Sequence, residues 1–263
     1  MIKLIATDMD GTLLDSTKIL NQEFFTIFEE IKEKKIMFVI ASGNQFYHLY
    51  NQFLPVSDDL YFIAENGCYI TKGKAELKSY CLKKEFVDCV IDILHQFPSL
   101  MPMICGKKKS YTFERYCQYE KTIQKHYDQY AFIEDIQTID DEIFKFSIHD
   151  PFHQVENYVE DIKRLLPQGL KIVTSGHEWM DIQDENIHKG IGIEFLKNKY
   201  GITKEECVAF GDQMNDYELL QNVYYAYAME NAVKSMKDIA YEIVPSNEQQ
   251  GVIQKLKELL KEM

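Results

Sequence analysis

The feature that most constrains the fold is the alternation of short apolar runs with helical patterns near the start of the chain. Residues 2–7 are largely apolar and lead into an acidic segment that contains glycine, and residues 36–40 and 61–64 are two further apolar runs. The segments between them, residues 21–35 and 45–54, are predicted to be helices. Short apolar runs separated by helices are typical of buried parallel strands. The pattern therefore predicts a doubly wound α/β sheet, in which ligands bind beyond the carboxyl ends of the strands.

The pattern changes near Leu82 and returns to α/β alternation near Lys189. Between these two points, short strands are predicted near residues 101–104 and 110–113, and a helix is predicted at about residues 118–130. Further helices and strands follow without the regular alternation of the first part. This mixed order is typical of a separate α+β unit.

The last part of the chain predicts a helix, a strand, a second helix, a second strand and a terminal helix. These elements cover residues 189–200, 207–210, 214–220, 224–228 and the segment from about residue 248. We therefore predict a Rossmann-like parallel-sheet core formed by residues 1–82 and 185–263, with an α+β domain inserted at residues 83–184.

The charge balance excludes several classes of partner. The chain has 29 Lys and Arg against 42 Asp and Glu, which leaves a formal net charge of −13. Such a charge repels nucleic acids and acidic membrane surfaces. The only arginines are Arg115 and Arg164. A phosphate site would therefore depend on lysine, backbone N–H groups or a metal ion.

The cysteines and the N-terminal residues indicate the cellular compartment in which the protein is expected. The 6 cysteines contain no C-x-x-C pair and are too sparse for a disulfide framework. Acidic Asp8 comes too early for a signal peptide, and no apolar run approaches the roughly 18 residues of a membrane span. We expect a soluble, cytoplasmic protein that is a monomer or weak homo-oligomer.

The sequence DMDGTLL at residues 8–14 directly follows the first predicted strand. Two carboxylates at positions i and i+2 beyond a strand can converge on one site. One could serve as a nucleophile or metal ligand and the other as a proton donor. An acidic surface turn with a capping aspartate is the alternative interpretation of Asp8 and Asp10.

Two other segments suggest a phosphate site. Ser42 and Gly43 follow the second predicted strand and could form a small anion-binding nest, although this segment by itself favours a helix cap at Ser42 or Asn44. Lys189 opens a predicted helix and could hold a phosphate, although a lone lysine is more often a solvated surface residue.

The sequence GDQMND at residues 211–216 follows the buried strand at residues 207–210. It brings Asp212, Asn215 and Asp216 to the same predicted edge of the sheet. Hard oxygen ligands at strand ends suit Mg²⁺. Helix capping explains one of these aspartates and leaves the other without a role.

Together these four segments resemble the haloacid dehalogenase (HAD) superfamily of phosphohydrolases. The resemblance covers the whole chain and is closest to the Cof-type sugar-phosphate phosphatases. Their cap domain is inserted between the second and third motifs, so the resemblance implies that residues 83–184 form a C2-type cap. It also implies a Mg²⁺-dependent phosphatase that acts on a small phosphorylated metabolite.

The resemblance further implies a role for each motif residue. Asp8 would attack phosphorus and become an aspartyl phosphate, and Asp10 would protonate the leaving alcohol and then activate water. The groups implied to hold the phosphoryl oxygens are the Met9 backbone, Ser42, Gly43, Lys189 and Asn215. The groups implied to hold Mg²⁺ are the Asp8 carboxylate, the Asp10 carbonyl and Asp212, with Asp216 in support.

One position departs from the pattern, because these phosphatases usually carry arginine after Ser-Gly and this chain has Asn44. The leaving-group preference of the family therefore does not transfer directly. Two other functions stay open: a phosphomutase of the same superfamily and a phospho-acceptor signalling domain. In the signalling domain the accepting aspartate follows the third strand, and no insertion of a hundred residues is expected.

Overall fold

The computed structural model describes residues 1–175 and 178–262, which its contacts divide into two compact units. Unit 1 contains Met1–Gly43, Tyr50–Lys78 and the chain from His188 onward, and unit 2 contains Asn44–Leu49 and Ser79–Ile187. The chain passes from one unit to the other at residues 43/44, 49/50, 78/79 and 187/188.

The short segment Asn44–Leu49 is the main difference from the predicted division, which placed it in the core. Gln45 explains its assignment to unit 2, because its amide nitrogen donates to Ser110 Oγ over 3.0 Å and to the Gln129 carbonyl over 2.6 Å.

The strands, numbered along the chain, are β1 (Leu4–Thr7), β2 (Met37–Ala41), β3 (Tyr61–Ala64), β4 (Tyr69–Lys72), β5 (Ala75–Ser79), β6 (Met101–Gly106), β7 (Ser110–Phe113), β8 (Tyr130–Ile133), β9 (Ile143–His149), β10 (Leu170–Ser175), β11 (Trp179–Asp184), β12 (Cys207–Gly211), β13 (Tyr225–Met229) and β14 (Glu242–Val244). The α-helices are α1 (Glu23–Glu33), α2 (Phe46–Gln52), α3 (Lys84–Leu94), α4 (Glu120–Ile123), α5 (Glu156–Leu165), α6 (Lys189–Tyr200), α7 (Tyr217–Gln221), α8 (Lys234–Ile239) and α9 (Gly251–Glu262).

The sheet of unit 1 has the order β14-β13-β12-β1-β2-β3-β4-β5. The strands from β14 to β3 are parallel, and β4 runs antiparallel to β3. The α/β fold class with a parallel sheet is therefore confirmed. Thr7 at the end of β1 lies opposite Phe210 of β12 and Ile40 of β2. This register places the carboxyl ends of three neighbouring strands side by side.

Helix α1 shows how the core of unit 1 forms. Its buried residues Phe24, Ile27, Phe28 and Ile31 recur at helical spacing. The ring of Phe24 packs edge-on against Phe38 of β2, with centroids 5.4 Å apart. This apolar face attaches the helix to the sheet and fixes the strand that leads to Ser42.

The sheet of unit 2 has the order β10-β11-β9-β6-β7-β8. Its pairs are antiparallel except for β7 and β8. The helix predicted at about residues 118–130 is wrong in its extent, because α4 covers only Glu120–Ile123 and Tyr130–Ile133 forms β8. Pairing of β8 with β7 outweighs the local helical pattern.

None of the helices in the described part of the chain combines the length and the apolar character that a membrane crossing requires.

Candidate active site

Asp8 is the first residue after β1 and lies at the centre of the sheet edge. Its backbone N–H donates to the Phe210 carbonyl over 3.1 Å, so the pairing with β12 extends one residue past the strand. This bond fixes the backbone from which the side chain projects. The residue is only 5% exposed.

Lys189 is the first residue of α6, and it is buried rather than solvated. Its Nζ lies 2.6 Å from Asp8 Oδ1 and 2.6 Å from Asp216 Oδ1. The helix that carries it packs closely on its neighbour, since a Cβ added at Gly190 would lie 2.4 Å from the Glu218 carbonyl oxygen. One ammonium group therefore joins two buried carboxylates from distant parts of the sequence.

Asp216 uses both carboxylate oxygens. Oδ1 accepts from Lys189, and Oδ2 accepts the backbone N–H groups of Asp212 at 3.1 Å and Gln213 at 3.2 Å. The second oxygen therefore closes the turn after β12, while the first orients the lysine. Asp216 is completely buried.

Asp212 is oriented by two side chains. Thr12 Oγ1 donates to Asp212 Oδ1 over 2.9 Å, and Gln213 Nε2 donates to Oδ2 over 3.2 Å. Gly11 has a φ of +80°, and a Cβ at this position would lie 2.5 Å from Asp212 Oδ2. Only glycine lets the loop after β1 approach this carboxylate so closely.

The carboxylates of Asp8, Asp212 and Asp216 each offer an oxygen, and these atoms lie within 4.8 Å of one another. All three residues are buried, and Lys189 supplies one positive charge to the group. Two negative charges are left over when all three carboxylates are ionised. Three oxygen donors with this excess charge form a set that can hold a divalent cation.

The electrostatics reflect this crowding. Burial, followed by the charge of Asp216, raises the pKa of Asp8 well above its usual range, although Lys189 opposes the shift. Burial and Asp216 also raise the pKa of Asp212 to about 6, while the Thr12 hydrogen bond opposes the rise. Burial alone would lower the pKa of Lys189, but Asp216 and Asp8 outweigh it and raise that pKa. Protons and cations therefore compete for the carboxylates.

Asp10 lies outside this buried group. Its side chain is 40% exposed, and its Oδ1 lies 2.6 Å from Lys18 Nζ. Asp10 is nevertheless near enough to Asp8 to raise the pKa of that residue slightly. The carboxylates of the DMD sequence therefore occupy different environments.

The other predicted phosphate-binding residues lie around the buried group. Ser42 is 2% exposed and follows β2, and the Met9 side chain is buried. Asn215 is half-buried in the turn before α7, and within the described residues its side chain makes no hydrogen bond. The structure thus places Met9 and Ser42 at the sheet edge beside Asp8 and does not attach Asn215 to the carboxylates.

The turn at residues 65–67 contacts Ser42 and was not predicted from the sequence. Glu65, Asn66 and Gly67 have consecutive positive φ values of 53°, 58° and 109°. The N–H of Asn66 donates to the Ser42 carbonyl over 3.0 Å. A Cβ at Gly43 would lie 2.7 Å from Asn66 Oδ1. The sequence Asn66-Gly67, which is separated from the end of β3 by one residue, is the signal that could have predicted this turn.

Comparison with known proteins agrees with this geometry. The family of haloacid dehalogenase-like hydrolases matches residues 5–256. The chain is 30% identical over 262 residues to 5-amino-6-(5-phospho-D-ribitylamino)uracil phosphatase YbjI of Escherichia coli (strain K12), covering 99% of this chain and 97% of the relative. It is 26% identical over 257 residues to phosphoglycolate phosphatase of Archaeoglobus fulgidus, with 97% and 95% covered. A crystal structure of a Streptococcus mutans UA159 protein has a TM-score of 0.88 at 28% identity and covers 99% of this chain and 100% of that one.

A parallel sheet with buried carboxylates beyond adjacent strands, together with these matches, defines the class: the chain belongs to the haloacid dehalogenase-like hydrolases. Within them it is a phosphatase of the Cof type, a phosphoric monoester hydrolase. The resemblance seen in the sequence motifs is confirmed.

Proposed function

We propose that this chain is a Mg²⁺-dependent phosphatase that hydrolyses a small phosphorylated metabolite through an aspartyl phosphate on Asp8. The observation that carries the proposal is the contact of Lys189 with both Asp8 and Asp216 beside the Asp212 carboxylate. Lys189 holds Asp8 Oδ1, and within the described residues Asp8 Oδ2 makes no hydrogen bond. Oδ2 is therefore the oxygen that would attack phosphorus.

The residues present fit a magnesium ion. Its donors would be the carboxylates of Asp8 and Asp212 and the carbonyl oxygen of Asp10, with Asp216 in support. These are hard oxygen ligands, and the buried group carries more carboxylates than ammonium groups. When bound, Mg²⁺ would neutralise negative charge on the phosphoryl group.

The reaction would proceed in two steps. In the first, Asp8 Oδ2 forms a bond to phosphorus as the bond to the leaving oxygen breaks, and Asp10 gives that oxygen its proton. In the second, Asp10 takes a proton from water, the water oxygen bonds to phosphorus, and the acyl phosphate bond breaks. Inorganic phosphate leaves and Asp8 is regenerated.

Chain groups around the sheet edge would hold the phosphoryl oxygens. These are the Met9 N–H, Ser42, Gly43, Lys189 and Asn215. The two arginines do not lie in unit 1: Arg115 lies over the rings of Phe113 and Tyr116 in unit 2, and Arg164 pairs with Asp161 on α5. Lysine and backbone donors would therefore bind the phosphate.

Residues 83–184 would act as a cap that selects the leaving group. Trp179, the single tryptophan of the chain, supports this role. Its ring centroid lies 4.7 Å from that of His149, and its Nε1 is buried without a hydrogen-bond partner in the described part of the chain. The change W179F should alter kcat/KM for metabolites more than kcat for p-nitrophenyl phosphate.

The names of the relatives suggest which substrates to test first. They are 5-amino-6-(5-phospho-D-ribitylamino)uracil, phosphoglycolate and, from a Klebsiella pneumoniae relative, HMP-PP. The 6 cysteines are all free thiols, which fits a reducing, cytoplasmic setting.

The test is phosphate release from these compounds and from a panel of sugar phosphates and nucleotides, with Mg²⁺ and with EDTA. We expect release of inorganic phosphate with Mg²⁺, none with EDTA, and none from D8N. Full activity in chelator would contradict the metal assignment. Formation of an isomeric sugar phosphate without inorganic phosphate would favour the phosphomutase alternative.

A further inference from the structure

The carboxylate of Asp10, which is proposed as proton donor and acceptor, is paired with a lysine side chain. Lys18 Nζ lies 2.6 Å from Asp10 Oδ1, and both residues belong to unit 1. This ammonium group is separate from that of Lys189, which contacts Asp8 and Asp216. Each aspartate of the DMD sequence thus has a different lysine partner.

The loop that carries Lys18 is fixed by Asp15. The Oδ1 atom of Asp15 accepts the N–H groups of Thr17 and Ile19, each over 2.9 Å, and the Thr17 hydroxyl over 2.7 Å. The N–H of Lys18 donates to the Asp15 carbonyl over 2.9 Å. This arrangement holds Lys18 in the left-handed region, at a φ of 64°.

Stability does not explain this arrangement. The side chains of Lys18 and Asp10 are 59% and 40% exposed, and exposed ion pairs contribute little to folding. A non-glycine residue in the left-handed region is itself unfavourable. The loop therefore adopts an unfavourable backbone conformation at Lys18, and the main effect of this conformation is to place the Lys18 ammonium group beside the Asp10 carboxylate.

We propose that Lys18 is a positioning residue that holds the Asp10 carboxylate in the orientation needed for proton transfer. The inference rests on the proposed role of Asp10. Because one carboxylate oxygen is held by Lys18, rotation of the side chain is restricted. The same carboxylate can then meet the leaving oxygen in the first step and water in the second.

The test separates the two steps with p-nitrophenyl phosphate, whose leaving group needs little help from a proton donor. Rapid mixing measures nitrophenol release in the first turnover, and steady-state assays measure kcat. In K18M we expect the first-turnover rate to stay within about twofold of wild type and kcat to fall roughly tenfold. The result is a nitrophenol burst that exceeds that of wild type, with kcat/KM unchanged and KM lowered in proportion to kcat.

Four further variants define the comparison. D10N should show the same burst with a larger loss of kcat, and K18R should restore much of the activity. K18N removes the ammonium group with a residue that tolerates left-handed backbone, so it replaces K18M if that variant fails to fold. K257M is the matched control, because Lys257 on α9 also forms an exposed ion pair, 2.6 Å from Glu23 on α1.

The outcomes distinguish this inference from the proposed function. If D10N shows the burst and both K18M and K18N keep wild-type kcat, Lys18 is only a surface contact and the inference is overturned. A parallel fall in first-turnover rate and kcat, with a lower Tm, would also overturn it, because it indicates a structural role. If D8N is active, or D10N shows no burst, the proposed roles of Asp8 or Asp10 fail, and the inference fails with them.

Discussion

The hydroxyl of Thr12 donates a 2.9 Å hydrogen bond to the carboxylate of Asp212, a residue 200 positions later in the chain. The bond is buried and joins the loop after β1 to the loop after β12. It opposes the rise in the pKa of Asp212 that burial causes. Thr12 thus helps to keep a proposed metal ligand ionised.

Loss of this hydrogen bond should weaken Mg²⁺ binding. In T12V the Asp212 carboxylate loses its orienting donor, and we expect the affinity for Mg²⁺ to fall about 10-fold or more. Isothermal titration calorimetry measures the change directly. T26V is the control, since Thr26 is exposed on α1, and its affinity should equal that of wild type. Equal affinity in T12V and wild type would argue against Asp212 as a ligand.

The raised pKa of Asp212 predicts a pH dependence of stability in the absence of metal. Its pKa rises from 3.8 to about 6 in the folded protein, so the folded state binds this proton more tightly than the unfolded chain does. Protonated Asp212 therefore stabilises the folded state relative to ionised Asp212. This stabilisation is fully present below about pH 4 and is lost as pH rises through about 6. We expect the free energy of unfolding of D212N, measured with urea at pH 7.5 in EDTA, to exceed that of wild type by roughly 1–3 kcal/mol.

The advantage of D212N should shrink as pH falls and should disappear near pH 4. Saturating Mg²⁺ should reduce it at pH 7.5, because the cation stabilises wild type and not the variant. An advantage that does not change between pH 4 and pH 7.5 would show that the ionisation of Asp212 is not its cause.

Removal of the buried ammonium group should be costly. In K189M the carboxylates of Asp8 and Asp216 lose the cation that lies 2.6 Å from each. We expect the free energy of unfolding in EDTA at pH 7.5 to fall by about 3–5 kcal/mol. The double variant K189M/D216N should recover part of this loss, because one of the uncompensated charges is gone. Urea unfolding tests both, and a K189M protein as stable as wild type would contradict the contact.

Gly11 offers a matched pair of glycine substitutions. G11A should lose most Mg²⁺ affinity and activity, because its Cβ would lie 2.5 Å from Asp212 Oδ2. G201A is the control: Gly201 has a similar positive φ of 64°, but no atom lies within 4 Å of an added Cβ. Both variants should lose stability of about 1 kcal/mol from backbone strain. Activity in G11A equal to that in G201A would mean that the close approach to Asp212 is not needed.

The sequence was informative where a motif directly follows an apolar strand. Asp8, Ser42 and Asp212 could be assigned to one sheet edge because β1, β2 and β12 are recognisable from their apolar runs and parallel strands end on the same side. Burial of Lys189 could not be predicted, because it depends on the packing of α6. The contact between Lys18 and Asp10 depends on a left-handed backbone that the sequence does not signal.

In unit 2, the sequence pattern led to a wrong prediction of secondary structure. One helix was predicted over about residues 118–130, yet Tyr130–Ile133 pairs with β7 as a strand. The short elements α8 and β14 were missed because neither is long enough to show a period.

The most direct test of the central claim is to identify the residue that carries the phosphoryl group during turnover. Wild-type protein would be mixed with p-nitrophenyl phosphate and Mg²⁺, quenched in acid within the first turnover, reduced with borohydride and digested for mass spectrometry. We expect conversion of Asp8, and no other residue, to homoserine, and no conversion in D8N. Conversion at another residue, or a D8N protein that keeps more than about a tenth of the wild-type kcat, would contradict it.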